Sequence, residues 1–200
     1  MTTFDLLPAL IGFAFVSSIT PGPNNLMLMA SGANFGVRRT LPHMMGVGIG
    51  FTAMIVAVGL GLNGIFEALP WTHTALEAFA VVYLLWLAWK IGTAAPAAPQ
   101  APEAARPITF WQAAAFQWVN PKAWMMVISA LTFYAADQSL AAVLLVAGVF
   151  GAINLPCISL WTFLGQEMRR VLTSPARLRA FNVTMALLLV ATLWPILKAF

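Results

Sequence analysis

The chain has 200 residues, of which 61% are hydrophobic and only 8% charged, and its mean hydropathy is +0.86. This composition excludes an ordinary soluble domain and indicates a protein embedded in a lipid bilayer. The net charge of +4 does not predict a nucleic-acid partner, because the basic residues fall in short connectors and form no stripe. Cys157 is the single cysteine, which excludes an intrachain disulfide, a CxxC redox motif and a paired-cysteine zinc site.

The first predicted membrane span runs from about Leu6 to Ala30, and a helix cannot continue through its middle. The two prolines there lack N–H donors and crowd the carbonyl four residues earlier, and the glycine between them supports no turn. Unpaired backbone groups are costly in lipid, so we expect the break to face protein or a water-filled cavity. Two asparagines add side-chain amides at that depth. The interruption comprises Thr20, Pro21, Gly22, Pro23, Asn24 and Asn25.

The second span is predicted from about Leu41 to Gly61, after a loop that carries Arg38 and Arg39. Gly46 and Gly50 have the GxxxG spacing that lets two helices pack closely, and we interpret them as packing residues. The same spacing permits a homodimer without requiring one.

The third span is predicted from about Thr74 to Lys90, where Glu77 completes a capping box that begins at Thr74. The two histidines, His43 and His73, are too few for a histidine-rich metal carrier. We expect both at span ends as interfacial residues, and we predict no metal site and no cofactor.

A linker rich in alanine and proline covers residues 92–107 and divides the chain. The fourth span begins at Thr109, where Gln112 completes a second capping box, and it ends near Tyr134. A proline again interrupts the apolar pattern, so we predict a second broken helix. This interruption comprises Asn120, Pro121 and Lys122.

The last two spans are predicted from about Leu140 to Leu164 and from about Leu178 to Leu197. Pro156 lies within the fifth span. Ser174 and Pro175 form a favourable N-cap and first-turn pair for the helix that contains the sixth.

Basic residues occur in alternate loops, which predicts the orientation of the chain. Loops two and four hold no Lys or Arg, and Lys198 is the single exception at the other side. Cytoplasmic loops retain positive charge, so we expect both termini on the outer, periplasmic side of a bacterial inner membrane. Loops one, three and five hold Arg38, Arg39, Lys90, Arg106, Arg169, Arg170, Arg177 and Arg179.

We predict an all-α integral membrane protein with six transmembrane helices arranged as two inverted three-helix repeats. Residues 1–200 form one domain, with repeats at 1–91 and 108–200. Each repeat starts with a proline-broken span, and paired interruptions of this kind indicate a binding site at the bilayer midplane. At 1.5 Å per residue the two breaks come within about 8 Å of the same depth.

Lys122 carries a charge well inside a predicted span, where an isolated ammonium costs at least about 3 kcal/mol. It therefore faces a cavity, where it pairs with a substrate carboxylate or couples protonation to transport. Alternatively it snorkels or binds the carbonyls that Pro121 frees. Asn120 is either a ligand or a cap for the break, and Gln117, one turn earlier, is a weaker candidate for the same face. Asn154, near Pro156, lies at a helix kink that either lines the substrate path or serves only helix packing.

The polar residues of the first break likewise either contact solute or satisfy backbone groups that the break frees. Of Asn24 and Asn25 we expect one to contact solute and at least one to satisfy freed backbone, and Thr20 to bond back to its own helix. Helices that restart at Pro23 and Pro121 present amides, which favour carboxylates, and helices that end before them present carbonyls, which favour ammonium groups. Together these features suit a zwitterion.

Three segments of the chain also resemble the LysE/RhtB family of bacterial amino-acid exporters: TPGPNNLMLMASGANFGVRRTLPHMMGVGIG, YLLWLAWKIG and PITFWQAAAFQWVNPKAW. The resemblance covers essentially the whole chain and is strongest to the RhtB branch, which includes cysteine and O-acetylserine exporters and homoserine, threonine and leucine exporters. It implies an inner-membrane efflux carrier for small neutral amino acids, driven by the proton-motive force. The family pattern matches Pro21, Gly22, Pro23, Asn24, Asn120 and Lys122.

Other functions fit the residues less well. Export of a basic amino acid is disfavoured because Lys122 repels a cation and no Asp or Glu lies deep in a predicted span. A membrane scaffold would leave two broken helices with polar groups as an unexplained cost. An intramembrane enzyme is not indicated, since the sequence contains no GxSxG, HExxH or paired intramembrane carboxylates.

Overall fold

The computed structural model describes residues 6–62, 71–94, 106–137 and 139–194. These residues form eight α-helices and contain no strand. The helices are α1 (Leu7–Ile19), α2 (Pro23–Phe35), α3 (Val37–Ala57), α4 (Trp71–Gly92), α5 (Phe110–Phe116), α6 (Pro121–Tyr134), α7 (Leu140–Met168) and α8 (Pro175–Ala191).

Both predicted helix breaks are present. Residues 20–22 separate α1 from α2, and their backbone is extended at Thr20 (ψ 145°) and at Gly22 (φ −175°, ψ 177°). Asn120 is likewise non-helical, with φ −89° and ψ 109°, and it separates a 3₁₀ turn after α5 from α6. The helices that follow the breaks begin at Pro23 and Pro121, where the missing N–H of proline removes no helical hydrogen bond.

The predicted caps of α5 and α8 are confirmed. Thr109 and Gln112 form a capping box, in which each side chain accepts a hydrogen bond from the other residue's backbone N–H. The Ser174 hydroxyl accepts from the N–H of Arg177, and Pro175 is the first residue of α8. These side chains satisfy N–H groups that the first helical turn leaves without a partner.

The prediction of a loop at Arg38 and Arg39 was wrong, because both residues lie in the first turn of α3. Gly36 alone connects α2 to α3, and its φ of 78° lies in a region that few residues other than glycine adopt. A single glycine therefore redirects the chain where the charge pattern predicts a longer loop.

Other predicted boundaries were also wrong. Helix α4 begins at Trp71, so Thr74 lies inside the helix and not at its N-cap. The side chain of Glu77, the other half of the predicted capping box, lies outside the described residues. Helix α7 continues to Met168 and includes Glu167, which the sequence placed in a loop. The sequence pattern shows where an apolar segment ends, but not where its helix ends. Helical hydrogen bonding continues through polar residues until the backbone angles change.

His43 was predicted at a span end, and this was wrong. Helix α3 begins at Val37, four residues before the predicted span, so His43 lies almost two turns inside it. Its side chain is fully buried, and neither ring nitrogen has a hydrogen-bond partner among the described residues. The side chain of His73 lies outside the described residues.

Helix α7 is the central packing element and contacts α1, α2 and α3, while α4 packs against α8. Two glycines let α7 pack closely against α2. A Cβ atom at Gly32 would overlap the carbonyl oxygen of Thr162, and one at Gly165 would overlap that of Met29. The two backbones therefore pack against each other without intervening side chains.

The GxxxG prediction for α3 is confirmed as a packing feature within the chain. A Cβ at Gly46 would overlap the carbonyl oxygen of Phe110, and a Cβ at Gly50 would lie 2.6 Å from the Cα of Ala114. The two glycines thus let α5 pack closely against α3.

Among the described residues, two helical segments are long and apolar enough to cross a membrane. They are Val37–Gly61, with 25 residues and a mean hydropathy of 1.9, and Leu140–Met168, with 29 residues and a mean hydropathy of 2.2. Helix α1 and the segment Ala78–Gly92 are shorter apolar helices. The six-span inverted repeat and the division at residues 92–107 stay predictions.

Candidate functional site

The two helix breaks meet through the side chain of Lys122. Its ammonium nitrogen Nζ donates to the carbonyl oxygen of Thr20 at 2.7 Å, to the Thr20 hydroxyl at 2.9 Å and to the Pro21 carbonyl at 3.4 Å. The lysine stem covers Gly22, where a Cβ would lie 2.7 Å from Lys122 Cδ. The carbonyls that bind Lys122 therefore belong to the first break. One of the alternatives drawn from the sequence was that Lys122 binds carbonyls freed by Pro121, at the second break.

Side chains also satisfy the carbonyls at the end of α1. The Asn25 amide nitrogen donates to the carbonyl oxygens of Ser18 and Thr20, both at 2.8 Å. Trp161 of α7 donates from its indole N–H to the Ile19 carbonyl at 3.0 Å. The Thr20 hydroxyl bonds back to the carbonyl of Ser17 at 3.1 Å, as predicted. Asn25 is therefore the asparagine that stabilises the freed backbone.

Asn24 connects the first break to the end of α5. Its amide donates to Gln117 Oε1 at 2.9 Å, and the Gln117 amide donates in return to Asn24 Oδ1 at 3.3 Å. Gln117 also donates to the carbonyl of Ala113 at 2.8 Å and is fully buried. A reciprocal amide pair of this kind fixes the separation of two helices.

The two restarting helices differ in how their first turns are capped. The Asn120 side chain accepts from the N–H of Lys122 at 3.1 Å and thereby caps α6. Gly22 occupies the equivalent position before α2 and has no side chain that could accept such a bond. The first turn of α2 therefore keeps backbone N–H groups available for an anion.

A small cavity lies where α1, α2, α3, α6 and α7 converge. Its volume is about 20 Å³, which is room for about one water molecule. Its lining combines polar residues, some of them from the two breaks, with four apolar residues. The cavity is lined by Ser17, Ser18, Gly22, Asn24, Asn25, Phe51, Asn120, Lys122, Ala123, Met126, Asn154 and Ile158.

Two polar side chains of the cavity wall are unsatisfied. Ser18 Oγ and Asn154 Oδ1 have no hydrogen-bond partner among the described residues, although the side chains are only 4% and 6% exposed. Asn154 lies in α7 two residues before Pro156, and the helix continues through that proline. Sequence reasoning predicted Asn154 and missed Ser18, whose signal is its position one turn before the first break.

The predicted site residues separate into three groups. Thr20, Pro21 and Gln117 do not line the cavity but bond to residues that do. Thr20 and Pro21 accept hydrogen bonds from Lys122, and Gln117 accepts one from Asn24. Pro23 and Pro121 start helices and do not line the cavity. Six of the predicted residues line it together: Gly22, Asn24, Asn25, Asn120, Lys122 and Asn154.

Most of the chain matches a known family of proteins. The family model described as LysE type translocator matches residues 15–192. Relatives include the cysteine/O-acetylserine efflux proteins of Escherichia coli strain K12 and Shigella sonnei strain Ss046, each 28% identical over 203 residues. The aligned region covers 94% of this chain and 95% of each relative. No solved structure matches the chain. The chain therefore belongs to the family of LysE type translocators, which are transporters and not enzymes.

Proposed function

We propose that the chain is a secondary transporter that exports small neutral amino acids, or their derivatives, across the bacterial inner membrane. The observation that carries this proposal is the meeting of both helix breaks at one cavity through Lys122 and Thr20. Relatives whose names specify efflux of cysteine and O-acetylserine support the same substrate class.

The proposal includes a topology of six spans in two inverted repeats, residues 1–91 and 108–200, with both termini on the periplasmic side. Each half then begins with a broken helix, α1 and α2 in one and α5 and α6 in the other. Exposed apolar side chains support burial in lipid, since residues such as Trp111 and Met125 are 78% and 70% exposed. A bilayer would cover these surfaces.

The substrate carboxylate binds at the start of α2. No side chain caps this turn, and the Lys122 ammonium lies beside it over Gly22. Backbone N–H groups and a cation together favour an anionic oxygen, and such charge-assisted hydrogen bonds are stronger than neutral ones.

The substrate ammonium binds the carbonyls of Thr20 and Pro21 at the end of α1. In the structure the Lys122 ammonium occupies these carbonyls, so the lysine stands where a second ammonium group would bind. An arriving carboxylate attracts Lys122 away from Thr20 and thereby frees the carbonyls for the ammonium of the same substrate. One zwitterion then satisfies both ends of the broken helix.

The cavity has to enlarge before a substrate can enter, because a volume of about 20 Å³ admits no amino acid. Opening requires the two links across the breaks to separate, Lys122 from Thr20 and Asn24 from Gln117. Rocking of one repeat against the other would separate them and give alternating access. We infer that protons moving inward supply the energy.

Export of a basic amino acid is the alternative within the same family. It is disfavoured because Lys122 would repel a second cation and no Asp or Glu lines the cavity in the described part of the chain. A non-transport scaffold is disfavoured because it gives no reason for a lysine to lie between two broken helices.

The test is efflux of radiolabelled amino acids from proteoliposomes, with protein-free liposomes as the control. Gradient-stimulated release of a neutral amino acid is the expected result. Release only of lysine or arginine would favour the alternative exporter, and release without dependence on a pH gradient would indicate a facilitator. Release of none of the amino acids would contradict the proposed function.

A further inference from the structure

We propose that Ser18 and Asn154 form the subsite for the substrate side chain and select a side chain that carries a hydroxyl group. The inference rests on the proposed function, because it assigns one part of the same cavity. It concerns α1 and α7, whereas the carboxylate and ammonium of the substrate are assigned to the breaks at Gly22 and Thr20.

The evidence is a pair of polar groups without partners. The Ser18 hydroxyl oxygen and Asn154 Oδ1 are both buried, and neither accepts or donates a hydrogen bond among the described residues. A buried polar atom without a partner costs about 1–3 kcal/mol, so such atoms are uncommon unless a ligand or water completes them. Both residues line the cavity that meets the breaks.

The neighbouring serine shows that this feature is specific to Ser18. Ser17 also lines the cavity, but its hydroxyl donates to the carbonyl of Phe13 at 2.6 Å. Of the two α1 serines that line the cavity, Ser17 has a hydrogen-bond partner and Ser18 has none among the described residues.

The chemistry of the two groups complements a hydroxyl. A serine hydroxyl can donate one hydrogen bond, and an amide oxygen can only accept. A substrate hydroxyl can accept from Ser18 while it donates to Asn154 Oδ1, which completes both groups at once. An alkyl side chain would leave both unpaired, and sites that pair a substrate hydroxyl reject analogues that lack it.

Apolar residues limit the size of this side chain. Phe51, Met126 and Ile158 line the same cavity and are at most 8% exposed. They pack against the carbon atoms of a short side chain and leave Ser18 and Asn154 as the polar groups of the subsite. Threonine and valine are the best probes, because the two differ by a hydroxyl in place of a methyl group.

The experiment measures release of threonine and valine from the same batch of proteoliposomes and reports their ratio. The ratio is independent of how much protein folds. We expect wild-type protein to release threonine about tenfold faster than valine, and we expect Ser18→Ala and Asn154→Leu each to reduce this preference to about threefold or less. The control is Ser159→Ala in α7, because the Ser159 hydroxyl donates to the carbonyl of Leu155 at 2.7 Å and does not line the cavity; this variant should keep the wild-type ratio.

The outcomes separate failure of the side-chain subsite from failure of the proposed transport function. Equal release of both amino acids by wild-type protein would overturn the subsite and leave the proposed function intact. An unchanged ratio in Ser18→Ala and Asn154→Leu would overturn the assignment of these residues. If a variant moves neither amino acid, the wild-type ratio still decides whether a hydroxyl is selected. A wild-type protein that releases no amino acid would overturn the proposed function, and the subsite with it.

Discussion

Lys122 and Thr20 are 102 residues apart in the sequence, yet the lysine ammonium donates to both the carbonyl and the hydroxyl oxygen of Thr20. The partners of this cation are backbone and side-chain dipoles, and no acidic side chain lines the adjacent cavity within the described ranges. The positive charge is therefore solvated but not neutralised. A cation in this state attracts a carboxylate and remains mobile enough to exchange partners.

Gly22 tests the position of that lysine. In Gly22→Ala the new methyl group would lie within 2.7 Å of Lys122 Cδ and displace the lysine stem, while the extended backbone accepts alanine without strain. We expect a change in unfolding free energy of less than about 1 kcal/mol but at least about a tenfold loss of efflux. The control is Gly12→Ala in α1, since a Cβ there meets no atom within 4 Å. Equal efflux from both variants would contradict the role of Gly22.

The crossing of α2 and α7 predicts a stability difference between two glycines of the same helix. Gly165→Ala would force a methyl group onto the carbonyl of Met29, and we expect it to lower stability by roughly 1–3 kcal/mol. Gly148→Ala has open space and should be neutral or stabilising by up to about 1 kcal/mol, because alanine favours a helix. Thermal unfolding in detergent measures both, and a similar Tm for the two variants would contradict the crossing.

Asn24 and Gln117 are expected to be energetically coupled. Removing either side chain leaves the other with unpaired amide atoms, so the second removal costs less than the first. A double-mutant cycle with Asn24→Leu and Gln117→Leu, measured by unfolding in SDS, should give a coupling of about 0.6–2 kcal/mol. Additive effects would show that the pair does not hold α2 to α5.

The proposed topology predicts which segments a membrane-impermeant thiol reagent reaches. Cys157 is buried and is the single native cysteine, so Cys157→Ser gives a background for introduced cysteines. Gly64→Cys should react in intact spheroplasts, whereas Thr173→Cys, near the arginine-rich end of α7, should react only after lysis. Labelling of Thr173→Cys in intact spheroplasts would contradict the proposed orientation and indicate the opposite one.

Local chemistry was predictable from sequence wherever one residue type determines the backbone. The breaks at Pro21 and Asn120 follow from the missing N–H of proline, and the capping box at Thr109 follows from side chains three residues apart. Each signal is confined to a few neighbouring residues, so no tertiary information was needed.

Contacts between distant segments were not predictable in the same way. The pairing of Asn24 with Gln117 spans 93 residues, and the sequence offered Gln117 only as a weaker candidate. The burial of His43 depends on where α3 begins, which in turn depends on the positive φ of Gly36. Ser18 became a candidate only when the helices showed that its hydroxyl lacks a partner.

The most direct test of the central claim is efflux by Lys122→Met, measured in proteoliposomes loaded with the neutral amino acid that wild-type protein releases best. Lys90→Met is the matched control, because the Lys90 ammonium lies 5.1 Å from the centre of the Trp86 ring and outside the cavity. We expect Lys90→Met to retain efflux and Lys122→Met to lose at least about tenfold, since the charged hydrogen bonds to the substrate disappear. A Lys122→Met protein that inserts normally and exports at the wild-type rate would contradict the account.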